Sequence, residues 1–104
     1  MLPKCLLITV PTAGTPVQLT TDPSIVCVSL LVKALPSNAG PTVYVGRAAN
    51  FNKTSGTDLI VDINGANQSF LVQASDNTNR IAPAQYWVDA ANSGDKLLVT
   101  YWVG

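Results

Sequence analysis

Few side chains in this 104-residue chain could take part in a reaction: two cysteines, six aspartates and six lysines or arginines, with no histidine and no glutamate. Proton transfer near neutral pH falls most often to His or to a tuned Glu, so a His-based triad is impossible and the usual general base is missing. A zinc site would have to be built from Cys5, Cys27 and aspartate alone. The two thiols stand 22 positions apart, a spacing that fits neither a CxxC redox pair nor a zinc knuckle and neither implies nor excludes a disulfide. Cys27 lies inside an apolar run, where an unpaired thiol behaves as a small hydrophobe, and buried free thiols are the expectation. Asp58 and Asp62 alternate along one expected strand and would share a face, a geometry open to calcium but as readily explained by solvated strand residues. Asn52-Lys53-Thr54 and Asn67-Gln68-Ser69 match the glycosylation pattern without a secretion signal beside them. The expectation is a protein that is not an enzyme and uses no cofactor and no metal.

Composition narrows the partners. The formal net charge is zero, and Lys4, Lys33, Arg47, Lys53, Arg80 and Lys96 are scattered singly, so no basic surface is set up for phosphate backbones or anionic lipid. Neither nucleic acid nor membrane is expected as a partner. With 47% hydrophobic and only 12% charged residues, and a mean hydropathy of +0.26, the chain is far from the composition of a disordered segment. It is long enough for one core and too short for two, which gives a single domain over 1–104. No apolar stretch approaches the roughly 18 residues of a membrane span, and the first ten residues read as mature sequence.

Such residues must be carried on strands. Turn-forming clusters around positions 11–14, 21–24, 36–41, 64–65, 76–79 and 92–95 separate runs of strand length at 5–10, 16–20, 25–34, 42–46, 58–63, 68–73, 85–89 and 96–103. Twelve Val, five Ile and ten Thr suit a pleated surface, and no window carries a helical apolar stripe. The chain is therefore all-β, with about eight short strands in a two-sheet antiparallel sandwich, jelly-roll-like. In the third strand Val26, Val28, Leu30, Val32 and Ala34 form the expected core face. The third and fourth strands read as one hairpin and the strands flanking Asn64-Gly65 as a second. The last strand is apolar on both faces, Leu97, Val99, Tyr101 and Val103 on one and Leu98 and Trp102 around Thr100 on the other, so its second face needs a cover: loops, the N-terminal segment, or another subunit.

Three segments carry a resemblance. Thr15-Pro16-Val17-Gln18-Leu19, the stretch from Ala34-Leu35-Pro36 to Thr42-Val43-Tyr44-Val45-Gly46, and Tyr86-Trp87-Val88-Asp89-Ala90 with Gly94-Asp95-Lys96 through Tyr101-Trp102 resemble small phage virion structural proteins, above all jelly-roll capsid decoration, or cement, proteins. The likeness runs from Thr15 to Trp102 and departs from the family pattern at Asn64-Gly65-Ala66-Asn67. It implies a homo-oligomer, a trimer at a symmetry axis, bound to the major capsid protein on the outer capsid surface of the virion after synthesis in the bacterial host cytoplasm. It brings no catalytic residues. The expected assembly interface comprises Leu2, Pro3, Leu6, Tyr44, Trp87, Tyr101 and Trp102, with residues 1–4 as a candidate N-terminal arm. A different class of function, a receptor- or glycan-binding module of a phage tail or fibre, would use Tyr44, Tyr86 or Trp87 in a cleft.

Overall fold

A computed structural model describes residues 2–65, 67–74 and 80–103. Eight strands run in chain order: β1 (Leu2–Thr9), β2 (Val17–Gln18), β3 (Ser29–Ala34), β4 (Thr42–Gly46), β5 (Leu59–Asn64), β6 (Ser69–Gln73), β7 (Trp87–Ala90) and β8 (Lys96–Val103), with a short 3-10 turn at Pro83–Gln85 before β7. They form two four-stranded antiparallel sheets, ordered β1-β8-β3-β6 and β2-β7-β4-β5. The pairs β1 with β8, β2 with β7, β3 with β6 and β4 with β5 are nested like the rungs of one long hairpin, and successive rungs fall alternately in the two sheets. That is the jelly-roll pattern, and the all-β sandwich read from the strand spacing is the fold observed.

The core lies between the sheets. Leu30, Val32 and Ala34 of β3, Leu97 and Val99 of β8, Val43 and Val45 of β4, Ile63 of β5 and Val88 of β7 are buried there, each alternating with an outward neighbour as strand geometry requires. At about 25 cal/mol per Å2, each fully buried Val or Leu contributes roughly 1.5–3 kcal/mol relative to exposure.

Three local expectations are corrected. β3 pairs with β8 and β6 and not with β4, because the 35–41 connection crosses from one sheet to the other. That crossing is fastened from below. The Asp95 carboxylate accepts hydrogen bonds from the backbone N–H groups of Ala39 (2.8 Å) and Gly40 (2.9 Å). Asn38 exchanges two bonds of 2.8 Å with the backbone of Lys96. Likewise β5 pairs with β4 and not with β6: the turn after Asn64, with Gly65 at φ +88° and its N–H bonded to the Pro41 carbonyl, hands the chain to the other sheet. Finally, Val26 is 44% exposed while Cys27 is fully buried. Cys27 exchanges backbone bonds with Ile81 (2.8 and 2.9 Å), and the next buried position, Leu30, is three positions on rather than two, so the alternation slips by one before β3 begins.

Residues 2–4 lie within β1, in register with Val103, Trp102 and Tyr101, so this part of the candidate arm is a sheet strand. Met1 lies outside the described residues, as does the polar run 75–79.

Candidate functional site

The outward faces of the two sheets differ in character, and of the seven residues expected at an interface two lie on each of them. On the β2-β7-β4-β5 sheet, Trp87, Asp89, Tyr44 and Gly46 point away from the core. The 47–58 segment between β4 and β5 folds back over this face. Phe51 is buried on Gly46, and Lys53 reaches a cluster of three partners: its ammonium donates to the Ala90 carbonyl (2.5 Å), stands 3.9 Å from Asp89 Oδ2 and lies 5.5 Å from the Tyr44 ring centroid. Asp89 is 1% exposed, and its Oδ1 accepts the N–H groups of Gly14 (3.0 Å) and Ala90 (2.8 Å). One buried carboxylate thus holds two loops against β7. The segment is also closed on itself, since Arg47 Nε donates to Asp58 at 2.8 Å and Asn52 accepts the N–H groups of Thr54 and Ser55. Asp58 precedes β5 with φ +56° and is ion-paired to Arg47, so it does not share a strand face with Asp62 as the calcium geometry required.

The other sheet presents an apolar face to the outside. Its register lays out three rows across four strands: Leu7–Leu98–Lys33–Ser69, Cys5–Thr100–Leu31–Leu71 and Pro3–Trp102–Ser29–Gln73. Leu7 is 57% and Leu71 52% exposed. Leu31, Leu98 and Trp102 are half-buried by their sheet neighbours, and none of these five belongs to the core cluster. Only Lys33, and Lys96 one row further along β8, bring charge to these strand positions.

Of the residues expected at an interface, Pro3 and Trp102 lie on this apolar face. Leu6 packs against the core and Leu2, on the same side of β1, is exposed at the rim. Tyr101 points inward and is 9% exposed, so it is a core residue and not a surface one. Tyr44 and Trp87 lie on the opposite sheet, Tyr44 beneath Lys53. Leu7, Leu31, Leu71 and Leu98 went unrecognised as a group. Their signal was present, since each strand carries an apolar residue at both parities, but only the strand order places them side by side.

Both thiols are unpaired; Cys27 is buried, whereas Cys5 is exposed on the apolar face, contrary to the expectation for it. Burial pushes the Cys27 thiol above its ordinary range. The Tyr86 hydroxyl is raised by burial first and by the nearby Cys27 second, and its ring packs on Phe70 at 6.4 Å between centroids. Among the described residues, two surface hollows bear on a cleft-type site. One, of about 290 Å3, is formed by the 35–41 loop with Gly65, and one, of about 150 Å3, by Gly14, Asp89 and residues 51–54; Tyr44, Tyr86 and Trp87 line neither. Against known proteins, the chain matches no family model, no curated protein and no solved structure.

Proposed function

We propose that this chain is a phage virion structural protein, a capsid decoration protein that binds and stabilises the head shell through oligomeric, non-catalytic contacts. The observation that carries this reading is the apolar outer face of the β1-β8-β3-β6 sheet, rich in leucine and bearing charge only at one end. An assembly protein needs shape and apolar area rather than reactive groups, and repetition of a modest contact around a symmetric particle multiplies its strength. The likeness of the strand signatures to phage decoration proteins supports the same reading and names the major capsid protein and further copies of this chain as partners.

The test is the copy number of the chain in purified virions, measured by quantitative mass spectrometry against the major capsid protein. Hundreds of copies are expected. A few copies to a few dozen would move the protein to the tail or fibre, and absence from particles would overturn the virion reading altogether.

A further inference from the structure

We infer that the apolar face of the β1-β8-β3-β6 sheet is the interface of a two-fold homodimer, in which a second copy packs face to face with its strands running antiparallel to the first. This inference rests on the reading of that face as an assembly surface and names its occupant. The reason is the pattern of the three rows. A two-fold axis lying in the interface and running across the strands, along the middle row, brings each residue of that row onto itself and exchanges the two outer rows. Leu31 then meets Leu31, Leu71 meets Leu71 and Thr100 meets Thr100. Leu98 meets Trp102 and Leu7 meets Pro3. The polar positions also find polar partners, Ser69 against Gln73 and Lys33 against Ser29.

The other in-plane axis, parallel to the strands, mismatches the face throughout. It sets β1 on β6 and β8 on β3, so Leu7 would meet Ser69, Trp102 would meet Ser29 and Leu98 would meet Lys33. It would also bring the lysine ends of both copies together, which like charge opposes. The face is therefore self-complementary under one symmetry and not under the other. A chain of zero net charge adds no long-range repulsion between copies.

The area is sufficient for a weak specific contact. Strands about 4.8 Å apart and rows about 6.8 Å apart give a projected face of roughly 400 Å2, hence on the order of 1,000 Å2 for the pair once side-chain relief is included, near the floor for a specific interface. Aligned sheets pack about 10 Å apart at roughly 30°, so the matching is closest at the centre, around Thr100 and Leu31.

Cys5 supplies a native reporter, because it lies in the middle row and meets Cys5 of the second copy only under the proposed symmetry. The parallel-axis arrangement places it against Leu71. The purified full chain is examined by sedimentation velocity at about 1 to 500 µM, the range suited to a contact of this size. The same samples are treated with a bismaleimide whose spacer is about 10 Å, the sheet-to-sheet distance. The expected result is a concentration-dependent dimer that is captured covalently through Cys5, with capture abolished in C5S. In L71D, which sets carboxylate against carboxylate, dimerisation should weaken at least 100-fold while the melting transition is retained; L7D, on the opposite edge strand, provides a second variant should L71D fail to fold.

A monomer throughout the concentration range, a trimer, or a dimer that Cys5 does not capture overturns the inference. If the monomer binds virions and L71D abolishes that binding, the face belongs to the shell: the assembly reading survives and the second copy does not. A captured dimer from a chain absent from virions keeps the pairing and removes the virion role.

Discussion

Phe51 rests against the backbone of Gly46 so closely that a Cβ built on residue 46 would stand 2.2 Å from the ring Cγ. Glycine here is a matter of space rather than backbone freedom: residue 46 ends β4, and the missing side chain is the seat into which the 47–58 segment docks. G46A should therefore cost about 2–4 kcal/mol by overpacking, lowering Tm by roughly 10–20 °C. F51A should cost a similar amount by leaving a cavity, and the double variant should cost less than the sum, because the ring that the new methyl strikes is gone. Thermal melts of the three variants check this, and strict additivity would contradict it.

Asp95 is 5% exposed and accepts two backbone N–H groups from the 35–41 crossing, so its removal strands two donors at a site closed to water. D95A should cost about 2–4 kcal/mol in urea titration, and D95N, which keeps one acceptor oxygen, less.

Asp89 should be more sensitive than its cationic partner. D89A leaves Lys53 facing Tyr44 and the Ala90 carbonyl without a counter-charge and frees Gly14, at a cost of about 3 kcal/mol. In K53M the carboxylate keeps both N–H donors, so the loss should be smaller. Equal losses would show that the ion pair, and not the backbone bonds, holds the two loops.

Alkaline pH should destabilise the protein. The Cys27 thiol and the Tyr86 phenol are both neutral when protonated, and burial raises both above their ordinary values of 9.0 and 10.0. Below those values both the folded and the unfolded chains hold the protons and the stabilisation is complete. As pH rises towards the folded-state values the unfolded chain ionises first, and stability falls. Tm should be level from about pH 6 to 8 and decline above about 9, with C27V flattening the onset. A Tm unchanged to about pH 11 would refute the assignment.

The thiols should also separate kinetically. Under native conditions a disulfide-exchange reagent should label one equivalent, Cys5, and reach Cys27 only as the protein unfolds. Two equivalents labelled at one rate would contradict the burial of Cys27.

Strand existence was legible because β-branched alternation and turn clusters are local signals, and the bounds of β4 and β8 follow directly from them. Strand partners were not legible. Asn64-Gly65 has the chemistry of a hairpin turn, yet what decides its outcome is a distant contact, the Gly65 N–H on the Pro41 carbonyl. Val26 was misplaced for a similar reason: the slip before β3 is set by the Cys27–Ile81 bridge, 54 residues away in sequence. The apolar face shows both sides of this. Its leucines are visible in each strand separately, but β1, β8, β3 and β6 are far apart in the chain, and only the nested pairing assembles them into rows.

That nesting also sets a timetable. β1 has one neighbour, β8, and is paired to it along its whole length, Leu2 opposite Val103. β1 must therefore wait for its only sheet partner until β8 has been made. In the interim the tip pair β4–β5, the rung with the shortest loop to close, is the first that can form, and the rest close outward from it. Synthesis of β1 and its pairing are thus separated in time by the whole of the chain between β1 and β8.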